Sequence, residues 1–278
     1  MARSFVLPPL GFGPGSQPGE GDGAELDYMV MPSGMRTFQP NFPSIDDPSQ
    51  ILMAVNALRR IGDLAAGWTE GNANLRFDLP EFDSRNAKTF ADALGEGEIA
   101  VRIDEIPRIE AQESVFAGVW RIREVGNPKG EHIEIGAVPD AVFKRRSDMP
   151  PMPPEPGPGV VNGPFLLTEI LEQVHQRTER AAPHIVNLTL MPHTPEDLDY
   201  LATSLGTGPA TFLSRGYGNC RIEATAYPTV WRVRYYNSQD ALILDTIEVS
   251  EIPEVACAAP EDIRDSATRL AEVAEAMS

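Results

Sequence analysis

The sequence predicts an α+β protein with mainly antiparallel sheets, made by internal duplication of a helix-strand-helix-three-strand unit, its copies packed about a pseudo-two-fold axis. Three observations carry this. Val119-Trp120-Arg121-Ile122-Arg123 recurs without a gap as Val230-Trp231-Arg232-Val233-Arg234, 111 residues on. The same spacing lays Ala91 on Ala202, Leu94-Gly95 on Leu205-Gly206 and Gly97 on Gly208. After a three-residue insertion, Ile133-Glu134-Ile135 falls on Ile247-Glu248-Val249, and Pro139 on Pro253. A repeat of this length makes each copy one structural unit, and such pairs commonly pack about a two-fold axis.

The elements follow in order. Residues 1–45 alternate glycine, proline and acidic residues, as in Gly11-Phe12-Gly13-Pro14-Gly15, and read as a flexible arm. The first repeat spans 46–148. Its first helix opens at Asp47-Pro48, a cap with proline behind it, and carries Ile51, Val55 and Leu58 on one stripe. A strand over 75–79 alternates with period two, and a second helix starts at the Asp83 cap and closes at Leu94-Gly95. Strands near 114–124 and 132–138 end the unit. Residues 149–162 are a proline-rich spacer of polyproline II character. The second repeat, 163–259, repeats the pattern: Leu167, Ile170, Leu171 and Val174 on a helix, a strand over 186–190, a helix capped by Thr194-Pro195-Glu196-Asp197, and strands near 225–236 and 242–252. Residues 260–278 place Ile263, Ala267, Leu270 and Ala274 at helical spacing and read as a docked terminal helix.

Composition narrows the function. With 23 basic and 41 acidic residues the net charge is −18, which repels nucleic acid and anionic lipid and attracts a basic segment of a protein partner. No stretch is long and apolar enough to span a bilayer, and the N-terminus lacks a signal-peptide core, so the expected location is the cytoplasm. No nucleotide-binding loop or nucleophile motif is present, and the expectation is a non-enzymatic, cofactor-free binding protein. The two cysteines, Cys220 and Cys257, have no metal-ligand spacing; with His184 and His193 they form the alternative metal reading, against buried thiols as the plain one. His132 and His175 read as surface or satisfied core residues.

The copies differ most at one loop. Arg215-Gly216-Tyr217-Gly218-Asn219-Cys220 stands where the first copy has Asp104-Glu105-Ile106-Pro107-Arg108-Ile109. Glycines around a tyrosine let backbone and side chains meet a partner closely; equally they shape a hairpin turn that packs Tyr217 on its own sheet. The twin pairs Trp120-Arg121 and Trp231-Arg232 are hot-spot residue types for a partner surface, while a tryptophan repeated at the same place in both copies most simply fills the same core position.

The run 213–222, together with Leu242-Ile243-Leu244-Asp245-Thr246-Ile247-Glu248-Val249, Pro253-Glu254-Val255-Ala256-Cys257 and, in the arm, Leu26-Asp27-Tyr28-Met29-Val30-Met31-Pro32, resembles the HupH/HyaF family of hydrogenase expression/formation proteins, which includes HoxQ. The resemblance implies an accessory role in [NiFe]-hydrogenase maturation: a dedicated chaperone holding the small, iron–sulfur subunit precursor before export and assembly, with other maturation proteins as further partners. The alternative is an iron–sulfur or metal-handling assembly factor using Cys220 and Cys257 directly.

Overall fold

The computed structural model describes residues 48–127, 130–144, 150–178, 182–215 and 219–278. The expected arm and the Asp47 cap lie outside them. Pro48–Ile51 forms a 3-10 turn that runs into α1 (Leu52–Gly67), which buries Val55, Leu58, Ile61 and Ala65 along one stripe. After β1 (Leu75–Asp78), Asp83 caps α2 (Ser84–Leu94) by accepting from the Arg85 and Asn86 N–H groups at 2.9 Å each. The helix stops at Gly95, whose φ of 57° suits glycine.

Four strands follow, not the three expected: β2 (Ile99–Ile103), β3 (Ile109–Glu113), β4 (Val119–Glu124) and β5 (His132–Ile135), then the short α3 (Asp140–Lys144). The second half gives α4 (Gly163–Gln176), β6 (His184–Asn187), α5 (Pro195–Leu205) and again four strands, β7 (Ala210–Ser214), β8 (Asn219–Ala224), β9 (Val230–Tyr236) and β10 (Leu242–Val249). The extra strand, β3 in one half and β8 in the other, is only five or six residues long and follows directly on the segment read as a loop, although its residues alternate between buried and more exposed as a strand's do. The expected long strands start late. Ser114 Oγ donates to the Phe116 carbonyl at 3.0 Å and accepts its N–H at 3.1 Å, forming a turn before β4, and Thr225 does the same with Tyr227 before β9.

The ten strands among the described residues join in one antiparallel sheet, in the order β1-β5-β4-β3-β2-β7-β8-β9-β10-β6. The halves meet along β2 and β7, in register from Ile99↔Ser214 to Ile103↔Ala210. One backbone bond extends each end of this seam, Asp104 N–H to Pro209 O at 2.9 Å and Arg215 N–H to Glu98 O at 3.1 Å. On one face, α1 and α2 bury Ile133, Ile135 and Val119, while α4 and α5 bury Val230, Ile247 and Val249. On the other, α3 and the Glu254–Ala256 turn pack with Trp120, Phe212, Ile222 and Trp231.

Two connections depart from simple beads on a string. The spacer is tied down at its end: Asp197 Oδ1 accepts from the Val161, Asn162 and Gly163 N–H groups at 2.7, 2.9 and 2.7 Å, and Thr194 Oγ1 donates to Gly159 O at 2.8 Å. The terminal helix α6 (Pro260–Ala276) returns to the first half, where Ile263, Leu270 and Ala274 complete the α1 core. Gly118, at φ 73°, makes room for it, since a Cβ there would stand 2.4 Å from Ile263 Cγ1.

Candidate functional site

Alternation along the central strands decides what the helix-bearing face shows. Trp120 and Ile122 point into the opposite core, so Arg121 and Arg123 between them point to the helix side. Register then lines up two cross-strand rows. One runs Arg123, Glu110, Arg102, Thr211, Glu223, Arg232; the other Arg121, Gln112, Ala100, Leu213, Arg221, Arg234, Asp245. Between the two helix pairs these rows floor an open cleft of about 580 Å³, lined by Arg102, Arg121, Arg123 and Arg221 with Glu96, Glu110 and Glu131, and crossing the seam.

The cations are held in place by carboxylates. Arg102 pairs with Asp104 at 2.9 Å and Arg221 with Glu223 at 2.7 Å, while Arg121 bonds Glu131, Arg123 bonds Glu110 and Arg234 bonds Glu223. Arg232 is the most firmly fixed: its Nε and Nη2 donate to the two carboxylate oxygens of buried Asp245 at 3.0 and 2.6 Å. In a chain of net charge −18 the cleft is a local concentration of guanidinium groups, each paired with a carboxylate of the chain itself.

The sequence-predicted residues divide between surfaces. Arg215 is exposed at one end of the seam, and Asn219 and Cys220 are the first residues of β8 rather than loop. Asn219 donates to Asp240 Oδ1 at 3.0 Å. Gly216, Tyr217 and Gly218 lie outside the described residues. Trp231 is fully buried and donates its Nε1–H to Glu251 O at 3.1 Å, so it is a core residue, whereas Arg232 reaches the opposite face. Sequence reasoning singled out Arg121 beside Trp120 and missed Arg102, Arg123 and Arg221. The signal was there in β4, where arginines alternate with Trp120 and Ile122.

Cys220 is buried opposite Tyr235, and Cys257 packs at the edge of the same core with its thiol 3.6 Å from Pro253 O. Burial pushes both thiols up to about 11, so both carry their proton at neutral pH. Among the described residues no group of three or more His, Cys, Asp or Glu side chains is placed to hold a metal. His184 bonds Glu169 at 2.8 Å, and His132 is a satisfied core histidine between Gly130 O and Glu134 at 3.0 and 3.1 Å. No helix among the described residues is long and apolar enough to cross a membrane.

The fold and cleft thus define a class: an α+β protein with one long antiparallel sheet and an open, arginine-rich groove across its middle. A family model described as the HupH hydrogenase expression protein, C-terminal conserved region, matches residues 160–277. The hydrogenase expression/formation protein HupH of Rhodobacter capsulatus is 49% identical, with 100% of both chains covered. The hydrogenase expression/formation protein HoxQ of Cupriavidus necator is 41% identical over 98% of this chain and 97% of its own, and the hydrogenase-1 operon protein HyaF of Escherichia coli is 31% identical over 95% and 94%. The chain belongs to the HupH family of hydrogenase expression/formation proteins.

Proposed function

We propose that this chain acts in hydrogenase maturation as a non-enzymatic chaperone, holding the small, iron–sulfur subunit precursor in the cytoplasm before export and assembly. The carrying observation is the full-length, 49% identity to a protein named for hydrogenase expression and formation. Its acidic body attracts a basic signal region, and its open cleft accommodates an extended segment. The exposed Arg215, at one end of the seam, would extend that contact surface.

The same reading treats the chain as a duplicated unit with its halves about a pseudo-two-fold axis. Supporting it, contacts recur 111 residues apart: Val115 N–H to Leu94 O and Ala226 N–H to Leu205 O, at 2.9 and 3.0 Å; Gly97 N–H to Glu113 O and Gly208 N–H to Ala224 O, at 2.7 and 2.8 Å. Two like halves on one sheet offer one client two surfaces. The test is affinity purification from hydrogenase-expressing cells, comparing wild type with Arg215→Ala. The expected result is small-subunit precursor in the wild-type eluate without stoichiometric metal, and less in the variant's. Bound iron with no precursor would replace this reading with the cluster-assembly one.

A further inference from the structure

Helices α2 and α5 each have eleven residues and sit at matching places, but their seventh residues differ. In α2 it is Phe90, buried against its core with its ring centroid 5.1 Å from that of Phe82. In α5 it is Leu201. Under α5, Leu201 lines a cavity of about 110 Å³ with Leu188, Leu198, Leu205 and Ile247, and Thr207, Glu223 and Arg232 supply polar groups to the same space. That space is comparable with the roughly 150 Å³ apolar cavity that takes up a benzene ring.

The cavity lies beside the cleft. Glu223 joins the two, lining the cavity while bonding Arg221 of the cleft floor at 2.7 Å, and its strand row continues through Thr211 to Arg102. Leu213, 44% exposed on that floor, adds an apolar contact between the arginines.

We propose that the cavity is an anchor pocket for a single leucine- or phenylalanine-sized side chain, carried by an extended segment of the protein client that lies in the arginine-lined cleft. The inference rests on the client-holding reading and names where and by what the client is gripped. The pocket walls match the apolar side chain, while the hydroxyl of Thr207 and the charges of Glu223 and Arg232 match the polar backbone that must remain outside. A fully desolvated anchor of this kind carries a large share of binding energy, whereas the exposed ion pairs of the cleft set register and encounter rate.

The test fills the pocket with the residue found in the other half. In the full chain, benzene should shift the methyl resonances of Leu198 and Leu205 in wild type and leave them unmoved in Leu201→Phe. Affinity for purified small-subunit precursor should fall at least tenfold in Leu201→Phe, with a melting temperature no lower than wild type. If that variant misfolds, Ala202→Trp on the exposed rim decides alone, with the same loss expected. Wild-type affinity in a folded filled or rim-blocked variant overturns the anchor pocket and leaves the holding reading standing, as does tight precursor binding by a wild type that admits no benzene. A wild-type protein that does not bind the precursor overturns the holding reading, and the anchor pocket with it.

Discussion

Asn86 and Asp197 stand 111 residues apart, each at the third position of its helix, and each ties that helix to the start of the helix before it, yet one does so as an amide and the other as an anion. Asn86 Oδ1 accepts the Ala54 N–H at 2.9 Å and its Nδ2 donates to Gln50 O at 3.0 Å. Asp197, fully buried, receives three N–H groups on one oxygen and the Thr194 N–H on the other at 2.9 Å. Burial alone would raise the Asp197 pKa, but the converging N–H groups win and hold it far below the ordinary carboxylate value. The lesson is that one geometry tolerates either chemistry when the number of donors changes with it.

The largest effect expected from this comparison is at Asp197. Asp197→Ala strands four donors and should cost about 3–5 kcal/mol in urea unfolding, against about 1–2 for Asn86→Ala; equal losses would break the contrast. Because the folded pKa of Asp197 is depressed, its contribution is present above the unfolded value near 3.8 and is lost as pH falls below it.

A second difference sharpens the pH behaviour. Glu113 occupies the place of Ala224, is buried, and accepts the Gly118 N–H at 3.0 Å. Burial, reinforced by Glu98 and Asp262, outweighs that bond and raises it to about 7. The folded state therefore favours the protonated acid, so the associated stability is full below about pH 4.5 and lost as pH rises through 7. Glu113→Gln should match wild type at pH 5 and exceed it by on the order of 3 kcal/mol at pH 8. Parallel pH–stability curves for the two proteins would contradict the assignment.

The smallest contrast is between the repeated arginines. Arg232→Ala leaves buried Asp245 without its two donors and should cost about 2 kcal/mol. Arg121→Ala, at an exposed pair with Glu131, should change stability by less than about 0.5 kcal/mol. Thermal denaturation of the two variants side by side measures the gap, which closes if the Asp245 pair is exchanged for solvent.

What the residues determined by themselves was local and periodic. The repeat around Trp120 and Trp231, the Asp83 and Thr194 caps and the glycine stops at Gly95 and Gly206 were legible because caps, closing glycines and buried faces depend on spacing within a few turns. The burial of Trp231 was one of two sequence readings; its neighbour Arg232 reaches the other face because a strand alternates. Only the tertiary structure joined the two half-sheets through β2 and β7, sent α6 back onto α1 and gathered Arg102 with Arg221. Those outcomes rest on which edges pair and which apolar stripes find each other over long loops. Such choices are settled by burying whole surfaces at once, and no window of neighbouring residues encodes them.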